Sequence, residues 1–434
     1  MTGTGVSETV ELRGHVIHSG VLGHVLDAIG ERGADWEILR IDVGRRSEDP
    51  SYVALRVMAD DKAMLRSVLE RLQDYGANPT MDGDAALRTA ERDGVFPEGF
   101  HSTTNLPTRV RIDDTWVEVD NPEMDCGIVF DPDTRTARTV PMDDVRAGMQ
   151  LVVGLTGVRV SPRDKPRAEE SIGQSGPGFE FMSSEISSEK PQGLLIEGVA
   201  EGMRQAKEAG RKVLWVAGPA LVHTGTVEPT CALIRAGYMD ILFAGNALAT
   251  HDIEANLYGT SLGVSLSRGI PTEHGHEHHV RTINRVRQSG SISAAVEDGT
   301  ITEGIMWHAV KYGVDVVLAG SVRDDGPLPG VIRDVIEAQG EMRKRVPEVG
   351  FALMIATLLH SVATGNMLPA SVPLVCVDIN PASVTKLVDR GSIQSVGIVT
   401  DVGLFVKELA VRLAPEELAK GEAARTETTR LSLS

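Results

Sequence analysis

Three cysteines in 434 residues, Cys126, Cys231 and Cys376, are too few and too far apart for a disulfide framework or a paired-cysteine metal knuckle. Such usage fits a reducing compartment, and a cytoplasmic location is expected. No stretch approaches the ~18 apolar residues of a membrane span. The N-terminal MTGTGVSETVELRG lacks the basic start and apolar centre of a secretory signal. Positive charge is scarce: 43 Lys and Arg against 61 Asp and Glu leave a formal net charge of −18. A surface of that sign repels phosphate backbones and anionic lipid, which argues against nucleic acid and membranes as partners. The chain also contains neither GxGxxG nor GxxxxGK[ST], so any phosphate cradle must be built without the common glycine fingerprints. GTSLG (259–263) matches GxSxG but follows a helix instead of a strand, so Ser261 is not expected as a hydrolase nucleophile.

What is present has ordinary globular composition, with 41% hydrophobic and 24% charged residues, so a folded chain of several domains is expected. Residues 1–100 read β-α-β-β-α, with DKAMLRSVLERLQDYGA an amphipathic helix bearing Met64, Leu65, Val68, Leu69 and Leu72 on one stripe. That order predicts a small ferredoxin-like α+β unit. From 101 to 160 the period becomes two: RVRIDDTWVEV, CGIVFDP, TARTVPM and LVVGLTGVRV read as strands of a small β-barrel-like unit. Residues 161–180, rich in Pro, Gly, Ser and charge, read as a linker or mobile loop. Over 181–415 short apolar strands alternate with helices, predicting a doubly wound, mostly parallel α/β sheet. Residues 416–434 read as a polar tail.

Ligands of such sheets lie beyond the carboxyl ends of the strands. Here those ends deliver Asn246-Ala247, Asp324-Asp325, Thr357-Leu358-Leu359-His360, Asp378 and Asp401-Val402. Gly245 lets backbone approach a ligand, Asn246 can cap the next helix, and acids at strand ends can accept ribose hydroxyls. The rim therefore reads as a dinucleotide platform. On the helix that starts at Asn246, His251 and Glu254 share a face by 3.6 spacing and Asp252 adjoins them, beside a buried stripe of Ala249, Ile253 and Leu257. That polar face can look into the cleft or into solvent. PTEHGHEHHVRT packs four histidines, His274, His276, His278 and His279, but has no HExxH or cysteine pair, and no metal is assigned. His276 and His279 are candidates to face the cleft, and Arg281 to hold a carboxylate. Cys376, inside PLVCV, reads as an inert buried thiol.

Longer segments carry a resemblance. IDVG (41–44) and EDPSY (48–52) resemble the region first named after a lysine-oxoglutarate reductase/saccharopine dehydrogenase bifunctional enzyme. FHSTTNLPTRVRIDDTWVEV, LFAGNALATHDIEANLYGTSLGV, LAGSVRDDGPLPGVI, ATLLHSVATGNMLP and VCVDINPASVTKLVDRGS resemble the archaeal-type ornithine cyclodeaminases. The same family includes the cyclodeaminase part of cyanobacterial bifunctional arginine-degrading enzymes. The resemblance implies an ammonia-lyase of ornithine and arginine metabolism that turns L-ornithine into L-proline and ammonia, with NAD recycled in each turnover. It implies cofactor contacts at Asn246, Ala247, Asp325, Thr357, Leu358, Leu359, His360, Asp378, Asp401 and Val402. His251, His276 or His279 would move protons, Asp252 or Glu254 would face the δ-ammonium, and Arg281 would meet the substrate carboxylate. No arginine-degrading activity is expected, and a homodimer or homotetramer is. Two other readings stay open: a cyclodeaminase for lysine or 2,4-diaminobutyrate, and a non-catalytic NAD- or amino-acid-sensing regulator.

Overall fold

A computed structural model describes residues 5–17, 20–45, 49–80, 83–161, 186–187, 192–261, 264–265, 275–324, 326–389, 395–421 and 423. The expected linker, apart from Ser161, lies outside them. The chain divides into two compact units, Met1–Arg167 with Asn366–Ser371, and Ala168–Gly365 with Val372–Ser434.

The first unit begins with β1 (Val6–Gly14), α1 (Val21–Glu31), β2 (Asp35–Asp42), β3 (Ser51–Ala59), α2 (Lys62–Gln73) and β4 (Asn78–Pro79). The strands lie in the order β2-β3-β1-β4, antiparallel throughout, which is the expected ferredoxin-like arrangement. Asp61 caps α2 by accepting the Met64 N–H at 2.8 Å. The helix then lays Leu65, Val68, Leu69 and Leu72 against Val10, Leu12, Val53 and Leu55.

A second sheet follows: β5 (Ala86–Thr89), β6 (Thr108–Ile112), β7 (Thr115–Asp120), β8 (Gly127–Asp131), β9 (Thr136–Val140), β10 (Gln150–Val153) and β11 (Val158–Val160). Their order is β11-β6-β7-β9-β8-β10-β5. Two segments that alternate like single strands each form a pair. RVRIDDTWVEV folds back as the β6–β7 hairpin because Asp113 and Asp114 take φ 49° and 59°, the two left-handed positions of a tight turn. LVVGLTGVRV becomes β10 and β11, which pair with different partners toward opposite sides of the sheet.

The second unit contains β12 (Ile186–Ser187), α3 (Gln192–Glu208), β13 (Lys212–Ala217), α4 (Ala220–His223), α5 (Val227–Arg235), β14 (Ile241–Gly245), α6 (Asn246–Tyr258), β15 (Thr260–Ser261) and β16 (Val264–Ser265). It continues with α7 (Gly275–Ser289), α8 (Ile292–Glu297), α9 (Ile305–Tyr312), β17 (Asp315–Ala319), α10 (Val335–Arg343), β18 (Val349–Ile355), α11 (Leu358–Met367, its last two residues counted with the first unit), β19 (Leu374–Asp378), α12 (Pro381–Asp389), β20 (Ser395–Val399) and α13 (Val402–Leu413). Seven strands pair in parallel in the order β12-β20-β19-β18-β13-β14-β17. Starting from β13, the chain winds outward through β14 to β17, then returns and winds the other way through β18, β19 and β20. That is the doubly wound dinucleotide-fold order, with its reversal between β13 and β18.

Continuous apolar strands suit a sheet covered on both faces: β13 and β18 bury Trp215 and Phe351 completely, and Phe243 and Phe405 join them in the core. Residues 415–421, read from sequence as the approach to a polar tail and its start, are helical; Leu418 enters the core and Glu417 receives Arg235 Nε at 3.1 Å. Among the described residues no helix is long and apolar enough to cross a membrane.

Candidate active site

At the reversal point two backbone segments come into direct contact. A Cβ on Gly218, just after β13, would sit 2.2 Å from the carbonyl oxygen of Ala356, just after β18. Ala356 itself adopts φ 47°, a left-handed conformation that costs a residue with a side chain and clusters at functional sites. Neighbouring strand ends close in as well. A Cβ on Gly245 would lie 3.3 Å from His360 Cε1, and one on Gly403 would lie 3.2 Å from the Thr224 carbonyl oxygen. Loops following β13, β14, β18 and β20 thus meet at one rim.

The rim residues differ in what holds them. Asn246 does not cap its helix; Gly245 occupies the cap position without a side-chain bond. The Asn246 carboxamide oxygen instead accepts the Leu328 N–H at 2.9 Å and the Thr250 hydroxyl at 3.3 Å, tying β14 to the loop after β17. Its Nδ2 is buried with no hydrogen-bond partner. His360 Nδ1 is also buried and unpartnered, and burial lowers the pKa of that imidazole. Asp401 caps α13 through the Leu404 N–H at 2.9 Å, and Asp378 accepts the Asn380 N–H at 2.8 Å. Asp324 accepts the Ser321 N–H at 2.8 Å. Asp325 lies outside the described residues. Ala247, Thr357 and Leu358 are half-buried, Val402 is buried and Leu359 is 81% exposed. The acids stand after β17, at the end of β19 and after β20, whereas β14, the second strand of the fold, ends in Gly245 followed by Asn246, where a ribose-binding acid is common.

Behind the rim, α6 is buried on nearly every side, so its polar residues need partners. The sequence allowed a solvated or cleft-facing polar face; burial of His251, Asp252 and Glu254 excludes the solvated one. His251 Nδ1 lies 3.1 Å from Glu254 Oε2, and the Thr260 hydroxyl donates to Glu254 Oε1 at 2.9 Å. Since that hydroxyl gives its hydrogen to the carboxylate, His278 Nδ1, 2.8 Å from Thr260 Oγ1, is the donor to it. The His251 ring stands 5.1 Å from that of His223 and 5.0 Å from that of His279. His223 Nδ1 is 2.8 Å from Ser261 Oγ, and burial, with the neighbouring His251, lowers its pKa.

Asp252 turns elsewhere. Its two oxygens accept the Ile305 and Met306 N–H groups at 2.8 and 2.7 Å, capping α9. Burial pushes its pKa up to about 7 against the pull of those two bonds. Arg281 is exposed on α7 and paired with Glu277 at 2.5 Å, outside the cluster. The His276 side chain and the whole of His274 lie outside the described residues. Sequence reading singled out His251 and Glu254 by spacing and His279 from its histidine cluster, but missed His223 and Thr260 as their neighbours. The signal for His223 was its place just after β13; nothing in the spacing marked Thr260. Ligand-type atoms of His251, Glu254 and His279 lie within 4.8 Å of one another, close enough to surround one cation. Cys376 is buried with its pKa pushed up to about 12, so it stays a thiol.

Family models cover most of the chain. Residues 7–106 match the LOR/SDH bifunctional enzyme conserved region. Residues 107–196 match the first region of the C-terminal part of ArgZ-like arginine dihydrolases, and 197–409 its Rossmann fold. The ornithine cyclodeaminase of Methanothermobacter thermautotrophicus is 50% identical over 397 residues, covering 92% of this chain and 95% of its own. The crystal structure of apo ArgZ, a cyanobacterial arginine dihydrolase, superposes with a TM-score of 0.81 at 36% identity, over 95% of this chain and 59% of ArgZ. The ternary complex of AgrE with ornithine and NAD+ matches at 40% identity and a TM-score of 0.50, over 95% of this chain and 58% of AgrE.

Proposed function

Because the chain belongs to the family that joins the archaeal ornithine cyclodeaminases to the C-terminal part of ArgZ-like enzymes, we propose that it converts L-ornithine to L-proline and ammonia with bound NAD. The observation that carries this reading is a buried imidazole–carboxylate pair, His251–Glu254, on the helix that leaves the dinucleotide rim.

The rim suits the cofactor on physical grounds. The orphaned Asn246 Nδ2 is a buried donor that needs an acceptor, and Gly245 beside it carries no side chain to stand in the way of one. Asn246, Ala247, Thr357, Leu358, Leu359, His360, Asp378, Asp401 and Val402 would hold it, with Asp325 added by resemblance. NAD supplies a hydride acceptor for the substrate α-carbon and returns the hydride after ring closure, so no net redox change results.

The remaining work is proton transfer. Ornithine enters with two ammonium groups and leaves as zwitterionic proline plus ammonium, so every proton withdrawn is given back. One base that both takes and returns protons is therefore enough. With Glu254 ionised, His251 carries its hydrogen on Nδ1 and leaves Nε2 to take the substrate proton. Glu254 then offsets the imidazolium charge, and its own second oxygen is fixed by Thr260. Its negative charge also favours the δ-ammonium in a site with little water. Asp252, whose oxygens are both engaged by α9, is left a structural role.

Purified protein given ornithine and NAD at a tenth of its concentration should release equimolar proline and ammonia over many turnovers. Ornithine recovered intact under those conditions refutes the assignment. Turnover of lysine or 2,4-diaminobutyrate in its place moves it to another diamino acid. NAD binding without turnover of any amino acid favours a sensor.

A further inference from the structure

The edge of the ferredoxin-like sheet is built as an unfinished core. β2 occupies one end of the order β2-β3-β1-β4, and all eight of its residues are exposed. Trp36, Ile38 and Ile41 are 41%, 40% and 44% exposed. They pair across the ladder with Val57, Leu55 and Val53, which are fully buried. Paired residues share a face, so these three side chains continue the core layer past the point where α1 and α2 cover it. A long apolar edge is normally blunted by shortness, proline, charged side chains or a bulge, and β2 carries its charges on the face opposite Trp36, Ile38 and Ile41. β4, the opposite edge, is two residues long, whereas β2 runs for eight residues without lysine or proline.

We infer that β2 is a self-association edge: it pairs antiparallel with β2 of a second copy of this chain, joining two four-stranded sheets into one. The sequence of the strand selects this partner. A register shift between Ile38 and Arg40 makes Leu39 an extra residue, so Trp36, Ile38 and Ile41 share one face while Asp35, Glu37, Arg40 and Asp42 share the other. A two-fold axis between Ile38 and Leu39 sets Trp36 opposite Ile41, and Glu37 opposite Arg40, each twice. Moving the register by one residue would set Trp36 against Arg40 or Asp42, across faces. Moving it by two would set Glu37 against Asp42, or Glu37 against Ile38 across faces at the centre of the pairing. The chosen register brings Asp35 near Asp42 at its ends, where Arg40 already neutralises Asp42 at 2.6 Å.

The test is the mass of the full chain in solution by sedimentation velocity, compared with the 46.5 kDa of one copy. Wild type should run at twice that mass or a multiple of it. Glu37→Arg and Arg40→Glu each set like charges together twice, and each alone should weaken association roughly tenfold or more. Mixing the two variants restores opposite charges at both positions, and the mass should return to that of wild type. A single-copy wild type, variants that associate like wild type, or a mixture that fails to recover would each overturn the inference.

Discussion

Two faces of one helix, α6, use buried acids in opposite ways. Glu254 meets side chains, an imidazole at 3.1 Å and a hydroxyl at 2.9 Å, groups that can pass a proton along. Asp252, two residues away, accepts its hydrogen bonds from backbone N–H groups at the start of α9. Both carboxylates lost their water on folding, yet in the proposed function one serves the chemistry while the other serves the architecture. Burial alone does not separate them; the mobility of the partner's proton does.

That contrast can be broken by substitution. On the face proposed as catalytic, His251→Asn should lower kcat by about 10²–10⁴ with little change in unfolding free energy, read from steady-state ammonia release and urea titration. Glu254→Gln should follow it with a smaller loss. On the structural face, Asp252→Ala should cost about 2–4 kcal/mol of stability through two orphaned buried N–H groups, while kcat per folded molecule stays near wild type. If Asp252→Ala folds well and loses turnover, the two faces have been assigned the wrong way round.

Acid–base linkage sharpens the same point. Because the folded-state pKa of Asp252 is raised from 3.8 to about 7, its proton is held more tightly in the folded chain than in the unfolded one. The stability it contributes is fully present below 3.8 and is lost as pH rises toward about 7. Unfolding measured across that window should show a downward slope in wild type that Asp252→Asn lacks. The smallest effect belongs to the rim: Gly245→Ala adds a methyl 3.3 Å from His360 Cε1, so NAD affinity should fall roughly tenfold by calorimetry. The β14 backbone, at φ −90°, accepts alanine without strain.

Much of the fold was legible because its signals are local. The strand and helix periods of the second unit, the α2 stripe and the β-α-β-β-α order all survive in the structure. The hairpin at Asp113-Asp114 was not, since an eleven-residue alternation looks the same whether it runs straight or folds back through two left-handed residues. The strand order around β13 and β18 depends on pairing between distant segments, which no local pattern reports. At the site, His251 and Glu254 could be placed on one face by spacing. The destination of Asp252 could not, because the N–H groups it caps belong to Ile305 and Met306, more than fifty residues on. The cap expected from Asn246 failed for a related reason: Leu328, far along the chain, claims its oxygen.

Ornithine deuterated at the α-carbon offers the most direct test of the central claim. Incubated with this protein and catalytic NAD, it should yield proline that retains deuterium on its α-carbon, with no accumulation of reduced cofactor. Proline that has lost the deuterium to solvent, or no proline at all, would contradict the account.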